Sequence, residues 1–111
     1  MAETATTAVP RDGNPLVVTY HATDVVILRA DGGRQINSGG FASRTTLRRI
    51  NKYADLKMTQ VAGEWYIPWN GGVYAFQDNM IFYPDRVVDC NGQPVEPMEK
   101  PPAKVAAKLA A

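Results

Sequence analysis

The chain has 111 residues, a formal net charge of +1, 45% hydrophobic residues and one cysteine. That length allows one domain, the single cysteine excludes an internal disulfide, and no apolar run approaches the ~18 residues of a membrane span. The near-neutral total conceals a reversal. Residues 29–57 hold seven bases (Arg29, Arg34, Arg44, Arg48, Arg49, Lys52, Lys57) against Asp31 and Asp55, whereas residues 58–99 hold Arg86 against six acids (Glu64, Asp78, Asp85, Asp89, Glu96, Glu99). Such asymmetry either steers a charged partner or pairs internally across the fold.

Residues 1–15 are small and polar, interrupted by Pro10, Gly13 and Pro15, and read as a flexible arm. They lack the basic start and apolar stretch of a secretory signal. With the lone Cys90 this gives an expected cytoplasmic location. A single domain is expected over residues 16–90. Its first segment, LVVTYHATDVVILRA, is rich in β-branched residues and predicts two short strands or one bent strand, changing direction near residues 22–24. Asp31-Gly32-Gly33 is a turn, and residues 34–38 return as a short strand.

Gly39-Gly40 then breaks regularity, and the spacing predicts a helix over Arg44–Ala54 with Ser43 as its N-cap. Leu47, Ile50 and Ala54 share one face, with Tyr53 at its edge. Arg44, Arg48 and Lys52 follow one another at i, i+4 spacing on the opposite side, and Arg49 lies beside them. Residues 57–62 and 64–69 read as strands around Ala62-Gly63, with Pro68 ending the second or placing it at an edge. Asn70-Gly71-Gly72 is a hairpin signal. Strands at residues 73–76 and 80–83 follow, and Val87-Val88 adds an edge. The expected fold is α+β, an antiparallel sheet of five or six strands with one amphipathic helix packed across it. Residues 91–111, rich in proline, alanine and lysine, read as a flexible tail. The closing AKVAAKLAA is too short for a stable isolated helix.

No residue set reads as catalytic, and no enzyme activity or cofactor is expected. His21 is the single histidine, and Asp24, three positions along a strand, faces the other side unless the chain bends. Cys90 has no assured cation beside it to lower its pKa. One histidine and one cysteine exclude a His-rich or Cys-rich metal cluster within one chain. Neither a P-loop, a dinucleotide fingerprint, an HExxH motif nor a nucleophile elbow occurs.

The segment NSGGFASRTTLRRINK carries the functional expectation. Gly39 and Gly40 permit close backbone approach. Ser43, Thr45 and Thr46 place hydroxyls at a helix start whose free N–H groups favour an anion. Arg44, Arg48, Arg49 and Lys52 add charge, and arginine holds phosphate or carboxylate in a bidentate geometry. The pattern suits a nucleic-acid backbone or an acidic protein surface. It is equally met by a turn, a cap and basic residues that are solvated or paired with the chain's own acidic half. Trp65, Tyr66, Trp69 and Tyr74 are candidates for base stacking or for an interface, if they are exposed. Core packing is the other use for such rings in a small domain.

The strings TYHATDVV, INSGGFASRTTLRRIN and GEWYI together resemble small uncharacterised proteins of bacteriophages and other mobile elements. In these a YHxT strand start, an NSGG followed by an aromatic, a TTxxRxN helix start and a later WY strand recur. The resemblance spans residues 19–83 and picks out Tyr20, His21, Thr23, Asn37, Ser38, Gly39, Gly40, Thr45, Thr46, Arg49 and Asn51. It implies a phage accessory protein in a bacterial cytoplasm and carries no settled activity. Combined with the basic helix, the expectation is a small protein that binds nucleic acid through that helix. A homodimer placing two such helices on one face would favour this reading. The alternatives are a protein-interaction module that inhibits a host protein and, with least support, a small enzyme.

Overall fold

The computed structural model describes residues 6–40 and 43–110. The first five residues of the expected arm, the aromatic Phe41 that follows NSGG, and residue 111 lie outside the described residues. The fold is α+β. Its elements, in chain order, are β1 (Thr6–Arg11), β2 (Asn14–Tyr20), β3 (Thr23–Leu28), β4 (Arg34–Ile36), α1 (Arg44–Ala54), β5 (Thr59–Val61), β6 (Glu64–Trp69), β7 (Gly72–Ala75), β8 (Met80–Phe82), β9 (Val87–Val88) and α2 (Ala103–Ala110). A six-stranded antiparallel sheet runs in the order β1-β2-β3-β4-β8-β9, and β5-β6-β7 form a second, three-stranded sheet.

Two-residue turns set much of this connectivity. Asp12-Gly13, His21-Ala22, Ala62-Gly63 and Asn70-Gly71 each carry positive φ at both positions and join neighbouring antiparallel strands. That geometry matches the right-handed twist of a hairpin and favours glycine at its second position. Three of the four turns have it. The β2–β3 turn does not: Ala22 sits at φ 65°, where a Cβ meets the following carbonyl. Such a residue costs about 1–2 kcal/mol.

Three expectations need correction. From residue 6 onward the expected arm is not free: Thr6–Arg11 pairs with β2 from Thr6↔Tyr20 to Arg11↔Asn14. The Asp12-Gly13 turn folds it back, and Pro10 is tolerated because β1 is the sheet's outermost strand, with the register slipping between Val9 and Arg11. The strands after α1 do not all join one sheet. After β7 the chain crosses through residues 77–79, and β8 pairs with β4 instead (Arg34↔Phe82, Gln35↔Ile81, Ile36↔Met80). The crossing is fixed by Asn79 N–H donating to the Ile36 carbonyl at 2.7 Å and by Asn37 donating to the Asn79 side chain at 2.8 Å.

The third correction concerns the tail. Val95 N–H donates to the Val87 carbonyl at 2.9 Å, Met98 N–H donates to the Val73 carbonyl at 2.8 Å, and α2 follows as a second helix. Val105 is fully buried, and the Lys108 ammonium donates to the Gln60 carbonyl at 3.0 Å, so α2 lies against β5. Eight residues would not hold a helix in water. Here docking supplies what local propensity lacks.

The core forms where α1 and the smaller sheet close on the larger one. It joins Val18, Val26, Ile36, Met80 and Phe82 of the larger sheet, Ile50 and Ala54 of α1, and Trp65, Ile67 and Tyr74 of the smaller sheet. Phe82 receives Trp69 and Tyr74 edge-on at ring separations of 5.6 and 6.0 Å. This offset geometry suits the aromatic quadrupole.

Candidate nucleic-acid interface

Helix α1 begins as its sequence dictates. Ser43 is extended (φ −93°, ψ 158°), its hydroxyl accepts from Thr46 N–H at 3.2 Å, and the Ser43 and Thr46 hydroxyls meet at 3.0 Å. Thr46, Ile50 and Ala54 face inward and are buried, with Leu47 and Tyr53 packed at the margin of the core. The opposite side therefore shows solvent Arg44, Thr45, Arg48 and Lys52, all exposed. Asp55 ends the helix in a left-handed conformation at φ 55°.

The four cations of this helix do not behave alike. Arg49 is half-buried; its Nε donates to the Thr6 hydroxyl at 3.0 Å and its guanidinium stands 5.1 Å from the centre of the Tyr20 ring. It ties α1 to the first hairpin. The Lys52 ammonium lies 5.1 Å from the Tyr53 ring, and both Arg49 and Lys52 are further engaged. Arg44 and Arg48, one turn apart, point outward. Among the described residues the ion pairs join Arg11 to Asp12 and Asp24, Arg29 to Asp31, and Arg86 to Asp85. None reaches Arg44 or Arg48.

Two acids of the second half serve turns instead. Asp78 accepts from the Ser38 N–H and hydroxyl, both at 2.8 Å, and Asp89 accepts from Asn91 and Gln93 N–H at 2.8 and 3.0 Å. The acid held furthest from its ordinary value is Asp31, within the β3–β4 turn. The Arg29 guanidinium, the Gly33 N–H and the Tyr83 hydroxyl together hold its carboxyl down at about 2.

Beside the start of α1 lies a cavity of about 410 Å³ lined by Tyr20, His21, Thr23, Val25, Ser38, Gly39, Ser43, Thr45 and Thr46. It brings together the β2–β3 turn, the 37–40 turn and the first turn of the helix. Seven of the eleven positions of the phage-protein resemblance meet there. Gly39 is required at its wall: its φ is +74°, and a Cβ would come within 2.8 Å of the Thr23 hydroxyl. Gly40 lies next to it at φ 82°, and its N–H is bound by the Ser38 hydroxyl at 3.1 Å. Thr46 is buried and spent on the cap, whereas Thr45 is exposed. Asn37 and Asn51 are brackets outside the cavity. Asn37 ties residue 79, and Asn51 holds both Met58 N–H and Met58 carbonyl at 2.9 and 3.1 Å.

Asp24 does not join His21. Its carboxylate is taken by Arg11 and by the Thr19 hydroxyl at 2.8 Å, while His21 lies against the Tyr20 ring at 4.3 Å. Cys90 is exposed. The aromatic candidates divide. Trp65 and Tyr74 belong to the core and offer no open face for stacking. Trp69 is half-buried, its indole N–H donates to the Tyr83 carbonyl at 2.8 Å, and its ring carries the Arg34 guanidinium at 5.1 Å. Tyr66, also half-buried, borders a cavity of about 180 Å³ with Trp65, Phe76 and Met98.

Comparison with protein-family models, with curated proteins and with solved structures found no match to this chain. Among the described residues no helix is long and apolar enough to cross a membrane.

Proposed function

We propose that this protein is a small nucleic-acid-binding accessory factor of a bacteriophage or other mobile element, acting in the cytoplasm of the bacterial host. It contacts the phosphate backbone through the outer face of α1. The observation that carries the reading is the freedom of Arg44 and Arg48 from the acidic half: both are exposed, one turn apart, and outside every ion pair among the described residues. Thr45 adds an exposed hydroxyl at the same end of the helix. Lys52 extends the row, and Arg49 sets the helix against the first hairpin rather than serving as an open contact. Contacts of this kind fix position on a backbone and leave sequence unread.

The test is binding of a labelled DNA oligonucleotide across a salt series. Each neutralised phosphate adds close to one unit to the log–log salt slope. The double variant Arg44→Gln/Arg48→Gln is expected to flatten that slope by about two. Binding that is indifferent to salt, or a double variant with the parent's slope, would sink the reading. Capture of an acidic protein with no affinity for DNA would replace it by a protein-interaction module. A homodimer, detected by light scattering, would set two α1 faces to one ligand.

A further inference from the structure

The outer face of α1 is one wall of a groove whose other wall comes from the C-terminal helix. A cavity of about 150 Å³ is lined by Arg44, Leu47 and Arg48 of α1, by Met58, Thr59 and Gln60 of the β5 segment, and by Lys108 of α2. Three cations from two helices thus converge on one recess, and among the described residues no carboxylate lines it. Lys108 is held in place: its ammonium donates to the Gln60 carbonyl at 3.0 Å. An ammonium has three donors, so two remain for a ligand. Val105, fully buried, anchors the helix that carries it.

We infer that this groove between α1 and α2 seats one phosphodiester of a nucleic-acid strand, with Lys108 closing on it opposite Arg44 and Arg48. The inference rests on the nucleic-acid reading and deepens it, because it makes the C-terminal helix part of the binding site. The recess admits a phosphodiester but not a base-paired helix, so the strand lies along its mouth. Leu47 and Met58 give the recess an apolar side suited to the sugar edge, and Thr59 and Gln60 give it a polar one. Lys104 is exposed on the same short helix and does not line the groove. It serves as a control of equal charge.

The experiment measures the salt slope of DNA binding for single variants of the full chain. Lys108→Gln is expected to flatten the slope by about one, whereas Lys104→Gln leaves it unchanged and Lys108→Arg retains it. Should Lys108→Gln loosen α2, Thr59→Glu places a carboxylate in the groove wall without touching that helix, and it is expected to weaken binding at low salt. Equal effects of Lys104→Gln and Lys108→Gln, or full binding by Thr59→Glu, overturn the groove. Arg44→Gln flattening the slope while Lys108→Gln does not overturns the groove and leaves the α1 surface standing. A parent protein that does not bind DNA removes both.

Discussion

The two helices reach the same fold by opposite routes. Helix α1 has eleven residues, a serine cap, an inward face that enters the main core and an outward row of bases. Helix α2 has eight residues, and one fully buried valine secures it against β5. The first is specified locally and then packed; the second exists because it is packed. A surface built across both therefore inherits the stability of the weaker one.

This contrast can be broken most sharply by removing one apolar side chain from each helix. Ile50→Ala opens a cavity at the centre of the core and is expected to cost about 2–5 kcal/mol of global stability. Val105→Ala is expected to cost about 2 kcal/mol, felt as local opening. Hydrogen exchange should quicken over residues 103–110 while the α1 amides keep their protection. Equal acceleration in both helices would show that α2 is integral to the core. A smaller effect tests the local specification of α1. Ser43→Ala removes the cap acceptor and is expected to lower stability by about 1 kcal/mol in denaturant unfolding; an unchanged midpoint would mean that packing alone fixes the helix start.

The smallest effect lies away from both helices and is read on the pH axis. The Asp31 carboxyl sits at about 2, below its ordinary range, because Arg29 and the Gly33 N–H bind the ionised form. Its stabilising contribution is complete above the unfolded value near ~3.9 and is lost as pH falls through the folded value. Carboxylate titration by NMR should place Asp31 near 2, and Asp31→Asn should flatten the acid limb of stability between pH ~4 and ~2. An ordinary midpoint for Asp31 would remove this contribution.

Much of the fold was legible because its signals are local. Ser43 before TTLRRIN, Asn70-Gly71 between two strand-like runs and Asp31-Gly32-Gly33 each fix a backbone conformation within a few residues. The β1–β2 hairpin carried such a signal too, in Asp12-Gly13, but Pro10 and Pro15 on either side read as interruption. The division into two sheets had no local mark. It depends on β8 choosing β4, forty-odd positions away, through Asn79 and Ile36. The site divides the same way. The i, i+4 spacing of Arg44, Arg48 and Lys52 was visible in the chain. The engagement of Arg49 with Thr6 and Tyr20, and the arrival of Lys108 beside Gln60, were not, since each needs a contact between segments far apart in sequence. Trp65 and Tyr74 were candidates for exposure because alternation along a strand does not say which face a second sheet will cover.

The stretch from Asp89 to Met98 has a mechanical consequence. It is hydrogen-bonded at Val95 to β9 in one sheet and at Met98 to β7 in the other. It works as a clasp, and a single proteolytic cut between Val95 and Met98 would part the covalent link between the two attachments and leave α2 held by Met98 and by its packing against β5.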